Sequence, residues 1–177
     1  PAVKKILEPQ LSQSTIVIQS YRFQNIPAWI TTCIQSVRAW ADKSDFAYKC
    51  VGDEVFDMLP DEYKKMAGGR TPILTDLGRL LLIRRALEGR YYRAIWVDAD
   101  VLVFDPKRFL LPFDVDYAFS REVWVQPDNK NTNRLRVYRN VHNAVCLFEK
   151  GNTFLDFYIE SCMKIVVASR NETPNQI

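Results

Sequence analysis

An α/β sheet covered by helices on both faces, within a single domain spanning residues 1–177, is the class this sequence predicts. Short β-branched, apolar runs alternate with longer stretches whose apolar residues recur at helical spacing. The length, 177 residues with 47% apolar and 25% charged, suits one domain with a sizeable core. No internal repeat or second domain is visible, and alternating strands and helices imply a sheet whose ligands bind beyond the carboxyl ends of its strands.

The first strand is expected over residues 15–21, where Ile16, Val17 and Ile18 lead into polar residues. A helix should follow, with Asn25 as its cap, Pro27 in its first turn, and Ile26, Trp29, Ile30, Cys33, Val37 and Trp40 at helical spacing. Residues 46–51 read as a second strand, making a βαβ unit, and residues 60–66 as a short helix stopped by Gly68-Gly69. A strong helix is expected from Thr71-Pro72 to Glu88, with Gly89 as its stop. It leads into the apolar strand 94–97. Strands are then expected over 117–125 and 143–148, separated by a polar loop at 127–133. That loop, rich in Asn and Asp, is expected to be mobile and to close over a bound ligand. Asn152 should cap a last helix over 153–168.

The net charge is only +3, and basic residues are interspersed with acids except at Arg134-Leu135-Arg136 and Arg139, which read as a solvated edge. A nucleic-acid surface is therefore not indicated. No apolar run approaches the roughly 20 residues of a membrane span, and no signal peptide is visible in a chain that begins at Pro1. Cys33, Cys50, Cys146 and Cys162 form no C-x-x-C pair and sit in apolar patterns, which points to buried free thiols, a reducing compartment and a cytoplasmic location. Asn171-Glu172-Thr173 is formally a glycosylation sequon, of weight only on a secretory route. His142 is the only histidine, which excludes multi-histidine metal sites and reads as a packed or hydrogen-bonded imidazole.

The chemistry concentrates at Ala94-Ile95-Trp96-Val97-Asp98-Ala99-Asp100-Val101, where two carboxylates interrupt an apolar run. Aspartate disfavours strands and is costly to bury unpaired. With one residue between them, Asp98 and Asp100 point the same way in an extended segment, and a turn at Ala99 converges them on one ion. Carboxylates without nearby His or Cys favour Mg²⁺ or Mn²⁺, which complete their shell with substrate phosphates. The alternative is a turn at a strand end. A second Asp-x-Asp, at Asp114 and Asp116, lacks the apolar flanks and reads as a solvated turn.

Asp76 and Arg79 lie one helical turn apart and read either as a surface pair worth a few tenths of a kcal/mol, or as a ligand-hydroxyl acceptor and a counter-charge for Asp98. Gln19, Ser20 and Tyr21 end the first strand, where such a sheet places a ligand, although a strand end needs none.

The helix with Asp76-x-x-Arg79, followed by Tyr92-Arg93-Ala94-Ile95-Trp96-Val97-Asp98-Ala99-Asp100-Val101, resembles the core of the GT-A glycosyltransferases with a DXD sugar-binding region, a group including initiating mannosyltransferases and glucosylating toxins. Residues 26–40, with Tyr48 to Glu54, are similar to its early strand-helix-strand. His142-Asn143-Ala144-Val145 and Gly151-Asn152-Thr153-Phe154-Leu155 are similar to a later segment. Gly89-Arg90-Tyr91-Tyr92 stands where the group has Gly-Gly, and Thr75 where it has Ser.

The resemblance implies a Rossmann-like GT-A mixed sheet and a metal-dependent, retaining transfer from a nucleotide-diphosphate sugar to a glycan, lipid or protein acceptor. Asp98 and Asp100 are the implied metal and catalytic residues, with Asp100 the direct ligand of Mn²⁺ or Mg²⁺. Asp76 and Arg79 would orient the sugar and Gln19 and Tyr21 flank the nucleobase, with Ser20 and Asn143 also in the donor site. Glu122 or Asp128 would serve as base in an inverting enzyme. The group also has a C-terminal segment carrying further acceptor and pyrophosphate contacts, which this chain is expected to lack. Two other classes remain: a noncatalytic binding module on the same scaffold, and a nucleotidyltransferase. The latter wants a Gly-rich phosphate loop that Ser20-Tyr21-Arg22-Phe23-Gln24 does not offer.

Overall fold

The computed structural model describes residues 14–128 and 131–169. Strands β1 (Thr15–Ser20), β2 (Ala47–Val51), β3 (Arg93–Val97), β4 (Tyr117–Asp128) and β5 (Asn131–Glu149) form one mixed sheet in the order β2-β1-β3-β5-β4. β1 runs parallel to β2 and β3, whereas β5 is antiparallel to β3 and β4. Helices α1 (Ala28–Lys43), α2 (Asp61–Ala67), α3 (Thr71–Glu88) and α4 (Thr153–Ala168) flank it, with a 3₁₀ helix at Asp53–Met58. The expected α/β class, a mixed sheet with helices on both faces, is what the chain forms.

The period-two alternation of strand side chains divides the core. Val17, Ile95, Val97, Val145 and Leu147 pack with Val37, Trp40 and Ala41 of α1. Ile16, Ile18, Ala94, Trp96, Cys146 and Phe148 pack on the other face with Leu77, Leu80 and Ile83 of α3 and Leu155 and Ile159 of α4. The central strands are buried on both faces, which is why they read as continuous apolar runs. Arg93 is also buried there; it pairs with Glu149 across the β3–β5 ladder, and its Nη2 donates to the Phe113 carbonyl at 3.2 Å. This ties the long segment after β3 back to the sheet.

Several local features differ from the sequence reading. Asn25 does not cap α1; it takes a left-handed conformation (φ 52°), and Pro27 immediately precedes the helix without a side-chain cap. Asn152 does cap α4, accepting from the Leu155 amide at 3.2 Å. The larger difference is the polar stretch 127–133, expected as a loop. Its described residues continue the strands: Pro127 pairs with Leu135 and Asp128 with Asn131, so β4 and β5 form one long hairpin. Polar side chains suit a two-stranded arm open to solvent as well as they suit a loop. Residues 129–130 of that stretch, and Asn171-Glu172-Thr173, lie outside the described residues. Among the described residues no helix is long and apolar enough to cross a membrane.

Candidate functional site

The parallel strands β1, β2 and β3 all end at one edge of the sheet, and a cleft of about 580 Å³ opens there. Ser20 at the end of β1 and Tyr21 after it, Asp53 beyond β2, and Asp98 and Asp100 beyond β3 line it, with Arg79 and Thr75 of α3 and Trp29 of α1. This is where an open α/β sheet receives ligands.

Asp98 is held at every polar atom of its backbone. Its amide donates to the Ala144 carbonyl at 2.7 Å, and its carbonyl accepts from Gln19 Nε2 and from the Val101 amide, both at 3.1 Å. The last bond closes the turn at residues 98–101 that carries Asp100. The Asp98 side chain accepts from the Trp96 indole Nε1 at 2.6 Å and from Arg79 Nη1 at 3.2 Å, both at Oδ1. Burial raises its carboxyl pKa above the ordinary carboxylate value; the Arg79 charge and the Trp96 N–H act in the opposite sense, and Asp100 adds to the rise. Asp100 itself is exposed, and its carboxylate makes no hydrogen bond or ion pair with a described residue.

Arg79 is the hub of the site. Only 7% exposed, its guanidinium reaches Asp76 at 3.0 Å, Asp98 at 3.2 Å and the Asn143 carbonyl at 3.0 Å, and lies 5.4 Å from the centre of the Trp96 ring. Its Nε is buried without a hydrogen-bond partner among the described residues. Asn143 Nδ2 donates to Asp76 Oδ1 at 3.2 Å, closing the circuit between α3 and β5. The surface-pair reading of Asp76 and Arg79 is thereby overturned, because the guanidinium is buried and shared with Asp98.

Asp76, Arg79, Asp98 and Asn143 are thus joined in one network; Arg79 and Asp98 line the cleft with Ser20, Tyr21 and Asp100, whereas Asp76 and Asn143 sit outside its lining. Gln19 is placed differently from the nucleobase-flanking position expected of it. It is fully buried beneath the cleft, donating to Asp98 and accepting from the Tyr48 hydroxyl at 2.9 Å. Glu122 and Asp128, named as possible bases, do not line the cleft; Glu122 lies 3.8 Å from His142 Nε2 and Asp128 4.0 Å from Arg136. His142 accepts from the Ala144 amide through Nδ1 at 3.0 Å, the hydrogen-bonded imidazole that was expected. Asp114 and Asp116 occupy an exposed bend. All four cysteines are free, Cys33 and Cys146 buried, Cys50 and Cys162 half-buried.

Trp96 and Tyr48 were missed as parts of the site. Trp96 had a signal, since residues 96 and 98 lie on the same side of an extended chain and an indole N–H is a donor in need of an acceptor.

Asp53, Asp98 and Asp100 line the cleft together with Arg22 and Arg79, three carboxylates against two guanidiniums. Among the described residues no group of three or more His, Cys, Asp or Glu side chains is arranged to hold a metal. The donor set nevertheless fits a hard cation of the kind held by one or two carboxylates together with ligand phosphates and water. Asp100 offers an uncommitted carboxylate, and one Asp98 oxygen is already engaged.

No protein-family model matches this sequence, and no curated protein matches it. Among solved structures, the chain is similar to the crystal structure of a glycosyltransferase involved in the glycosylation of the major capsid of PBCV-1. The two share 18% identity with a TM-score of 0.47, over 90% of this chain and 69% of that one. A likeness of this degree says nothing of substrates or acting residues.

Proposed function

We propose that this chain is a glycosyltransferase of the GT-A type, taking its sugar from a nucleotide-diphosphate donor with Mn²⁺ or Mg²⁺ held by Asp98 and Asp100. The observation that carries the reading is the pairing of a clamped carboxylate with a free one at the carboxyl edge of the sheet. Asp98 is fixed by Trp96, Arg79 and Gln19, and Asp100 stands uncommitted beside it in the cleft. The resemblance of the Asp76 to Asp100 segment to the DXD group supports the same reading. When bound, the ion supplies Lewis-acid stabilisation to the departing diphosphate.

The chain's own residues set the geometry. Arg79 orients Asp98 and opposes the rise that burial gives its carboxyl pKa. Asp76, outside the lining itself but next to Thr75 and with its carboxylate 43% exposed, presents acceptor oxygens to donor hydroxyls reaching past Arg79, while Asn143 and Arg79 hold it in place. Ser20 and Tyr21 flank the nucleoside, whereas Gln19 acts from below on the Asp98 backbone.

The test is titration of a panel of nucleoside diphosphates with and without Mn²⁺, followed by donor hydrolysis. Asp100→Asn should abolish the metal-dependent part of binding at an unchanged melting temperature, and Asp114→Asn should leave it intact. Loss with Asp114→Asn and retention with Asp100→Asn would mean that the wrong carboxylate pair has been assigned. Metal-dependent binding without any donor turnover would instead make the chain a noncatalytic module.

A further inference from the structure

Beyond the body of the sheet, residues 120–128 of β4 and 131–142 of β5 pair only with each other, because β3 meets β5 solely at residues 145–149. A two-stranded arm of this kind has no third strand to cover it. Its side chains sort by register, since residues directly opposite in an antiparallel pair share a face. One face carries Arg121 opposite Val141, Val123 opposite Arg139, Val125 opposite Val137, and Pro127 opposite Leu135. Its aliphatic side chains are among the most exposed in the molecule: Val141 75%, Leu135 70%, Val123 62%. Isolated exposed apolar residues are ordinary, but a contiguous exposed strip marks a contact surface.

Charge identifies what the strip contacts. Along this face the arginines sit at the base, and the aliphatic residues run from Val123 to the Pro127–Leu135 pair. Glu122 and Asp128 lie on the other face with Arg134 and Arg136, so the charge beside the strip is that of Arg121 and Arg139 alone. The other face presents Trp124 opposite Tyr138 among Glu122, Gln126, Arg136 and Asn140, the polar side that stays in water. We propose that this arm docks the protein on an anionic phospholipid bilayer, the aliphatic strip entering the headgroup layer and the arginines pairing with lipid phosphates. From Val123 to Pro127 the strip is on the order of 13 Å long, enough for interfacial burial and far short of the ~30 Å hydrocarbon core. A second copy of the chain is a poorer occupant. An isologous contact of this face with itself would offer Arg121 and Arg139 no acidic partner.

The test is flotation of the full chain with phosphatidylcholine vesicles, with and without phosphatidylserine, and it is independent of any transferase activity. The chain should float with the phosphatidylserine vesicles, and less so as salt is raised. Leu135→Ser should weaken association by roughly tenfold or more, and Arg139→Gln by about fivefold. Both sites are exposed, so unchanged melting temperatures will show that the variants fold. Absence of flotation, equal flotation on neutral and anionic vesicles, or full retention by Leu135→Ser would overturn the proposal. So would a solution dimer, seen by light scattering, that Leu135→Ser dissolves while vesicle binding is absent.

Discussion

Arg79 shows how far burial changes the meaning of a sequence spacing. Three residues after Asp76 on a helix, it has the pattern of a solvent-exposed pair, whose removal costs a few tenths of a kcal/mol. Its side chain is instead 8% exposed and bonded to two carboxylates and a carbonyl. Removing one partner from a buried ionic network leaves the others desolvated and uncompensated. Arg79→Ala should therefore lower the unfolding free energy by about 3 kcal/mol in urea titrations. Arg79→Lys should not restore it, because an ammonium lacks the planar fork that reaches Asp76 and Asp98 together. A loss of only a few tenths in the alanine variant would return the pair to the surface. The carboxylates at 98 and 100 were legible from their apolar flanks, but the clamp around Asp98 was not, because Gln19, Arg79 and Ala144 come from three separate elements. Gln19 also illustrates strand alternation: it shares a face with Val17, so it points under the sheet edge, while Ser20 and Tyr21 reach the cleft.

Among the elements, α3 was legible because its apolar residues, Pro72 near the start and Gly89 at the end agree. What the pattern could not reveal is why Gly78 interrupts it. A Cβ on Gly78 would lie 2.8 Å from Val55 Cγ2, on the 3₁₀ helix packed against α3. Val55 is buried and β-branched, with little freedom to withdraw. Gly78→Ala should thus destabilise by about 1–3 kcal/mol, although in an exposed helix interior the same change gains roughly 1 kcal/mol. The displaced 3₁₀ helix carries Asp53 and Phe56 into the cleft, so nucleotide affinity should weaken as well. A thermal melt showing a stabilised variant would mean that α3 and the 3₁₀ helix separate without cost. The outer part of the β4–β5 arm, beyond residue 125 and up to residue 142 of β5, was the least legible, β4 having been expected as strand over 117–125. Burial produces the alternation by which strands are recognised, and an arm with both faces open to water is not constrained to show it. The residues nearest the sheet body, such as Cys146, Leu147 and Phe148, were recognisable as strand because they are buried.

At the scale of the whole molecule, the interior holds several groups that are neutral only as long as they keep their protons. Burial raises the Cys146 thiol to about 12 and the Cys162 thiol to about 11, and it is also the main cause of the upward shifts of Cys50, Tyr48, Tyr63 and Tyr158. These groups lie on β5, α4, β2 and α2, so they report on global unfolding and not on one loop. Each is an acid whose pKa in the folded chain exceeds that in the unfolded chain. Above about pH 8.5, where a free thiol ionises, the unfolded chain therefore releases protons that the folded chain retains. The folded state then binds more protons than the unfolded state, and stability falls as pH rises. This contribution is fully present below the unfolded values and is lost progressively up to the folded ones. The urea midpoint should accordingly decline through the alkaline range, and Cys146→Ala should make the decline shallower by removing one retained proton. Alkylation of Cys146 should proceed only at the rate of global unfolding, since no exposed thiolate forms in the native chain. A midpoint that stays level across the alkaline range, or an unchanged slope in Cys146→Ala, would show that the buried thiols ionise without opening the core.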